Sequence, residues 1–406
     1  MIIREEDFVQ SIADALQYIS YYHPPDYIRA LGQAWEREES PAAKDAMAQI
    51  LVNSRMCAEG HRPICQDTGI VVVFLRVGMQ VRWDTERSVA ELVNEGVRRA
   101  YTWPDNLLRA SLVSDPLGAR RNTRDNTPAV VHTELVPGDR IEVSLAAKGG
   151  GSENKSRFTV LNPSASLVDW VLATVPTLGA GWCPPGILGI GVGGTAEKAM
   201  LLAKQSLLDP IDIQDLQARG PGNRAEELRL ELYDKVNALG IGAQGLGGLT
   251  TVLDVKLRDF PTHAASLPVA LIPNCAATRH LELSLDGSGP AKLSPPRLED
   301  WPAVTWEAGN ARRVDLDRVT REEIADWQPG ERLLLNGKLL TGRDAAHKRI
   351  ADLLAAAQPL PEGVDFRNRF IYYVGPVDPV RDEVVGPAGP TTATRMDKFT
   401  EMMLSQ

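Results

Sequence analysis

The longest uncharged stretch of the chain runs from Val171 to Ala196, and it limits the fold more than any other feature. It is long enough to cross a bilayer as a helix. Seven Gly and three Pro lie within it, and both residue types break helices, so it is not read as a membrane span. It must instead be chopped into short buried elements. Its second half continues as ILGIGVGGTAEKAMLLAKQSLL, which reads as strand, glycine turn and helix. Residues 165–175, before it, look helical. A buried strand feeding a helix through glycines is the unit of an α/β fold.

The same grammar recurs along the 406 residues, a length that suits two domains. Residues 1–60 are mainly helical, with apolar positions at helical spacing in FVQSIADALQYI and AAKDAMAQILVNS. Ile70–Leu75 is a short β-branched run, read as a buried strand, and SVAELVNEGVRRAY follows as a helix. AVVHTELVPGDRIEVSLAAKGGG predicts a hairpin turning at Pro137-Gly138-Asp139. The helix AEELRLELYDKVNAL then leads into the glycine-rich IGAQGLGGLTTVLDV. Residues 286–330 have the composition of a junction, interrupted by a capping box at Thr320–Glu323. Beyond it come strand ERLLLNG, helix GRDAAHKRIADLLAAA, strand RFIYYVGPV, a Gly/Pro loop and helix TRMDKFTEMML.

The expected fold is therefore α/β, with a large N-terminal mixed α/β domain over 1–285 and a smaller α/β domain over 331–406. A parallel unit needs a strand after its helix. None follows before Gln406, so the second domain is expected to be incomplete. The last helix should carry one apolar face formed by Met396, Phe399, Met403 and Leu404.

A formal charge of −9 argues against a nucleic-acid groove or a basic membrane face. It leaves room for a small anionic substrate, which needs only local Arg and Lys. The N-terminus MIIREEDFVQSIADALQYISYY has neither the basic start nor the apolar core of a signal peptide, so a cytoplasmic protein is expected. In that compartment the four cysteines are not expected to form disulfides, and none has CxxC spacing.

Three of those cysteines share a setting. Cys65 in ICQDTG opens onto a strand, while Cys183 in GWCPPG and Cys275 in PNCAATRH follow apolar segments in turn-rich loops. Three such thiolates can ligate three irons of a [4Fe–4S] cube and leave the fourth open, and an open iron is a Lewis acid. Simple burial accounts for isolated cysteines more often. Cys57, at a helix end, is the odd one out. Gly189–Gly194 matches GxGxxG, but the second strand ending in an acid is missing, so nicotinamide binding is not expected. A turn that lets a helix N-terminus approach the site is the preferred reading. Gly149–Gly151 offers free backbone N–H groups to an anion or is a flexible strand end. His263, one of six histidines, is read as a satisfied structural histidine. Arg343, Thr391 and Arg395 lie at expected helix starts, which suits anion capture, though surface arginines are common.

Taken together, ICQDTG, AAKGGGSENKS, AGWCPPGILGIGVGGTAEKAMLLAK, GAQGLGGLTTVLDVK, HAASLPVA, NCAATRH, NGKLLTGRDAAHKR, YYVGPVDP and GPAGPTTATRMDK resemble one family from about residue 5 to the end. It is that of the iron–sulfur, class I fumarate hydratases and the related tartrate dehydratases. The resemblance implies a [4Fe–4S] cluster on Cys65, Cys183 and Cys275. It implies a substrate environment of Gln66, Asp67, Arg109, one glycine of Gly149–Gly151 (with Gly149 and Gly150 the candidates), Arg343, Thr391 and Arg395. Asp67 and His263 would move protons, and Thr391 matches the proposed base. A threonine hydroxyl would need neighbouring positive charge to serve so, and Arg395 is the candidate.

The implied reaction is reversible addition of water to fumarate, giving (S)-malate, with tartrate or mesaconate as alternative substrates. No nucleic acid or membrane partner is expected, and the completed protein is expected as a homodimer. Family members continue past the last helix and carry a substrate-side lysine that this sequence lacks. Either the chain is cut short or a second polypeptide completes it, and a cluster-binding chain without turnover is the rival reading.

Overall fold

The computed structural model describes residues 1–304, 309, 311–328, 331–379, 382–388 and 396–405. They belong to two compact units, Met1–Val304 and Thr305–Gln406, and the fold is mixed α/β.

Three helices open the first unit: Glu5–Tyr21, Pro25–Arg37 and Pro41–Gly60. Their starts are written in the sequence. Glu5, Glu6 and Asp7 place negative charge at the first N-terminus, and proline occupies the first turn of the other two. Phe8, Val9, Ile12, Leu16 and Ile19 form one buried stripe of the first helix. The Val89–Tyr101 helix begins at a capping box, with Glu91 N–H donating to Ser88 Oγ at 3.3 Å and Ser88 N–H to Glu91 Oε2 at 2.8 Å. These two helices bury Val71, Val73, Leu75, Ile141, Val143 and Leu145, the alternate positions of two strands.

Those strands belong to a four-stranded sheet ordered His280–Leu285, Ile141–Lys148, Ile70–Gly78, Val130–Val136. The expected hairpin is not formed. Val130–Val136 and Ile141–Lys148 are both strands, but Ile70–Gly78 lies between them, antiparallel to one and parallel to the other. The reason is burial. Ile70–Gly78 is apolar on both faces and claims the centre, whereas the half-polar Val130–Val136 suits an edge.

A second sheet runs Val252–Phe260, Gly186–Gly193, Leu267–Asn274, Arg157–Leu161. The Ala196–Ser206 helix packs directly on its Gly186–Gly193 strand. A Cβ on Gly189 would lie 2.3 Å from Ala203 O, and one on Gly191 2.0 Å from Ala199 O. Only bare backbone fits there.

The chain crosses between the sheets twice, through residues 149–156 and through residues 275–279. Lys148 pairs with Ile70, and Asn274 pairs with Ile187. Both crossovers therefore gather at one end, where Ile70–Gly78 and Gly186–Gly193 begin. Residues 286–304, expected to begin a junction, lie back on the first unit. Trp301 is buried beside Ile28 and Ala58 and donates its indole N–H to Ser54 Oγ at 2.8 Å.

In the second unit, Leu333–Asn336 does not share a sheet with Ile371–Tyr372 as expected. It pairs in parallel with Arg312–Asp315, and Leu340–Thr341 pairs in parallel with Ile371–Tyr372. The Asp344–Ala355 helix follows Leu340–Thr341, so the β-α-β unit starts one short strand later than expected. In the closing Asp397–Leu404 helix Met403 is buried, as is Met396 before it, and Phe399 lies near His347 at 5.8 Å between ring centres. Leu404 departs from the expected face and is 82% exposed. It stands at the last turn, past the reach of that core.

Candidate active site

Where the sheets meet, three loops present the three loop cysteines. Cys65 precedes Ile70–Gly78, Cys183 precedes Gly186–Gly193, and Cys275 follows Leu267–Asn274. Ala276 N–H donates to Cys183 O at 2.9 Å and so ties two of the loops together. The side chains also feel one another. Burial pushes the Cys65 thiol up to about 11, with Arg279 opposing that rise and Cys275 adding to it. Cys183 is raised further, by burial and then by Cys275, Cys65 and Asp67. Cys57 is buried, its Sγ 3.6 Å from Pro63 O, and burial, with Cys65 adding to it, raises its thiol to about 12. Among the described residues no three His, Cys, Asp or Glu side chains converge on a point that could hold a single ion.

Asp67 is fixed beside these thiols. Gly69 N–H donates to its Oδ1 at 3.1 Å and Gly150 N–H to its Oδ2 at 2.7 Å. Ser111 Oγ lies 3.4 Å from Oδ1. The glycines of AAKGGGS thus hold a carboxylate of the chain itself. A Cβ on Gly149 would come within 3.2 Å of Asp67 Oδ2, so a glycine there leaves the carboxylate its place. The loop that carries Arg109 is anchored on the same turn. Thr68 Oγ donates to Arg109 O, and the buried Asn126 bridges Gly69 O, Ser111 N–H and Leu112 N–H. Arg109 itself is exposed.

Buried polar atoms without a hydrogen-bond partner concentrate here. Among the described residues of the first unit they are Tyr27 Oη, Gln66 Nε2, Thr123 Oγ1, Trp182 Nε1 and Arg279 Nε. Gln66 and Trp182 are next to Cys65 and Cys183 in the chain, and Tyr27 and Arg279 interact electrostatically with Cys275 and Cys65. Native interiors rarely leave such groups unpaired, so each one calls for an explanation. This end of the sheets is suited to a polar or ionic group.

Two expectations fail to converge here. His263 follows Val252–Phe260, whose Phe260 pairs with Gly193, whereas Cys183 adjoins the Gly186 end. The length of the strand, on the order of 20 Å, separates them. His263 is exposed, and its Nδ1 accepts Ala265 N–H at 3.1 Å. The Gly193–Gly194 turn lies at that same far end, so the N-terminus of the Ala196–Ser206 helix does not approach the cysteines. The GxGxxG glycines serve close helix–strand packing instead. In the second unit Arg343 is the N-cap of Asp344–Ala355, its carbonyl accepting His347 N–H at 3.0 Å. Thr391 and Arg395 lie outside the described residues.

Residues that the sequence did not single out also shape the site. Arg279 is 3% exposed, and its carbonyl accepts Ala147 N–H at 3.1 Å, registering the Cys275 loop on the Ile141–Lys148 strand. His23 supports that loop from behind, with Nε2 3.0 Å from Ala276 O and Nδ1 2.7 Å from Ser54 Oγ. Lys148 is buried under the glycine loop, its ammonium donating to Ser152 Oγ at 2.8 Å and Pro273 O at 2.6 Å. Burial lowers it to about 8 against the attraction of Glu153. None of the three left a signal in the sequence beyond lying near a quoted motif, as Arg279 does in NCAATRH.

Comparison with known proteins gives this geometry its context. The family model described as Fumarate hydratase (Fumerase) matches residues 9–284, and that described as Fumarase C-terminus matches residues 287–406. The chain is similar to the anaerobic class I fumarate hydratase of Escherichia coli K12, at 31% identity over 91% of this chain and 69% of that protein. Fumarate hydratase 2 of Leishmania major is 31% identical over 92% of this chain and 68% of its own length. The putative L(+)-tartrate dehydratase subunit alpha of Methanocaldococcus jannaschii is 35% identical over 66% of this chain and 94% of its own length.

Proposed function

The chain belongs to the fumarate hydratase (fumerase) family of hydro-lyases, and from that premise we propose that it interconverts fumarate and (S)-malate at a [4Fe–4S] cluster. The observation that carries the reading is the meeting of Cys65, Cys183 and Cys275 loops at one end of two sheets, around a fixed carboxylate. The donor set fits the cofactor. Three loop thiols, beside buried polar atoms without partners, are the donor type that an iron–sulfur cubane takes. When bound, such a group supplies an open iron that acts as a Lewis acid toward carboxylate and hydroxyl oxygens.

The chain's own residues supply the rest. Asp67, oriented by two backbone N–H groups, is placed to accept or return the proton next to a substrate carboxylate. General-base help of this kind contributes roughly 10²–10⁴-fold. Gln66 and Arg109 are proposed to meet a dicarboxylate from the first unit, and Arg343, Thr391 and Arg395 to complete its contacts. Fixed donors aimed at the developing negative charge each contribute several kcal/mol, on the order of 3. His263 can join this set only from a second copy of the chain, which accords with a homodimer.

Tartrate dehydration is the second reading, favoured by the 35% identity to the tartrate dehydratase subunit. The test is anaerobic reconstitution with iron and sulfide, followed by turnover on fumarate, malate, tartrate and mesaconate in parallel. Fumarate hydration ahead of the others is expected. Tartrate turnover with little fumarate hydration would select the second reading. Cluster uptake without turnover on any of the four would mark the chain as cluster-binding but incompetent alone.

A further inference from the structure

Three buried arginines of the first unit differ in how their charge is met. Arg229 is ion-paired with Asp212 and Asp254, and Arg62 reaches Asn106 Oδ1 at 3.3 Å. Arg279, 3% exposed, has neither kind of partner. Its Nε makes no hydrogen bond, and no carboxylate of the described residues stands within ion-pair distance of it. Leaving a guanidinium buried without a counter-charge is strongly unfavourable. A fold tolerates such a cost where an anion completes the site.

The surroundings narrow the choice of anion. The space a Gly149 side chain would fill is bordered by Asp67 Oδ2 at 3.2 Å and Arg279 Nη2 at 3.6 Å, yet the two do not form an ion pair. Asp67 is already satisfied by Gly69 and Gly150 N–H groups. The Arg279 guanidinium instead stands unpaired at the cysteine end, on the same 275–279 crossover as Cys275 and across the Gly149 space from Asp67, two residues after Cys65. Three thiolates outweigh the positive charge of an oxidised cubane core, so the ligated group is a net anion. Hydrogen bonds and charge near the sulfurs set how firmly such a group is held.

We propose that Arg279 is the fixed counter-cation of the cysteine triad, a positioning residue that offsets the negative charge of Cys65, Cys183 and Cys275 when they ligate the cluster. The proposal rests on the cofactor reading above. It requires opposite effects on the two forms of the protein. Without the cluster Arg279 is a liability, and with it a support.

The experiment compares wild type, Arg279→Met and Arg279→Lys, each as apoprotein and after anaerobic reconstitution with iron and sulfide. Thermal melting is read on the apoprotein, and the rate of iron loss to a ferrous chelator on the reconstituted form. Arg279→Met apoprotein is expected to melt at or above wild type, while its reconstituted form loses iron about tenfold faster. Arg279→Lys, which keeps the charge, is expected to stay within about threefold of wild type. A destabilised Arg279→Met apoprotein with an unchanged rate of iron loss would assign a purely structural role and overturn the proposal. So would unchanged iron retention with a raised KM, which would place Arg279 on the substrate. A wild-type chain that takes up no cluster would instead overturn the cofactor reading, and this inference with it.

Discussion

Around Asp254, four charged groups close on one another. Asp254 is wholly buried, accepts from Arg229 at 3.1 Å, from Lys256 at 2.8 Å and from the Asp212 backbone at 3.0 Å. Asp212 returns contacts to the same two cations, and although burial opposes it, hydrogen bonds from Arg229 and Lys256 bring its carboxyl down to about 2. Around Cys65, at the cysteine end, a guanidinium nitrogen, an amide nitrogen and an indole nitrogen are buried without partners. Both regions lie in the same unit, in sheets of similar make. The difference is that one network is finished by the polypeptide and the other is not. A chain able to build the first has no physical need to leave the second open, which is why the second reads as the functional end.

The sharpest way to break this contrast is at the cysteines themselves. Cys65→Ser, Cys183→Ser and Cys275→Ser should each abolish the brown chromophore after anaerobic reconstitution, whereas Cys57→Ser should keep it. Iron and sulfide analysis checks this. Full iron content in any of the first three variants would remove that thiol from the ligand set. Burial of Cys57 behind Pro63 is the reason to expect no loss there.

The closed network should respond in stability rather than in cofactor content. Asp254→Asn leaves Arg229 and Lys256 short of a counter-charge inside the protein. Breaking one partner out of a buried charge set costs about 3–5 kcal/mol. Urea denaturation of the apoprotein should show that loss, while chromophore formation in the surviving folded fraction is unchanged. A loss below about 1 kcal/mol would mean that Asp212 alone suffices, and the contrast between the two regions would weaken.

How far these regions were legible in the sequence depended on whether the information was local. Ile70–Leu75 is a strand because its β-branched run says so, and the turn residues before it place Cys65 at a strand mouth. Thr320–Glu323 is a capping box in sequence and in space. The hairpin at Pro137-Gly138-Asp139 failed for the opposite reason. Nothing in those residues reveals that a strand from some sixty positions earlier will insert between its arms. The same blindness governs His263 and the GxGxxG turn. The sequence identifies strand, turn and helix, but not which end of the sheet each turn will occupy. Register and direction come from pairing between distant strands, as in Phe260 opposite Gly193. Arg279 was passed over because a buried, unpaired arginine is spelled like a surface one. His23, in YYHPP, gave no sign of the loop it supports.

His23 sharpens the comparison, because it is a finished group placed directly behind the unfinished end. Among the described residues the partner on its Nε2 side is the carbonyl of Ala276, so Nε2 carries the proton and Nδ1 accepts from the Ser54 hydroxyl. Trp301 N–H donates to the same hydroxyl oxygen, completing a chain of bonds from residue 301 to the Cys275 loop. The imidazole is thereby held neutral. Burial lowers its pKa to about 3, with the Ala276 hydrogen bond opposing and Arg279 assisting. Below the unfolded value of about 6.5 the unfolded chain binds a proton that folded His23 refuses, so stability is present above that pH and falls as the pH drops toward 3. Between about pH 7.5 and pH 5 the loss from this one group should be about 2 kcal/mol. Burial also pushes His132 and His280 down, so wild type will lose more than this in total. The difference between wild type and His23→Gln isolates the share of His23. Urea denaturation of both apoproteins at the two pH values should give the variant the shallower acid slope, by about 2 kcal/mol. Equal slopes would mean that His23 takes up its proton in the folded protein. The added proton would sit on Nδ1 and make the contact with Ser54 Oγ a donated one, while Nε2–H would keep its bond to Ala276 O, so the Cys275 loop would stay held from behind.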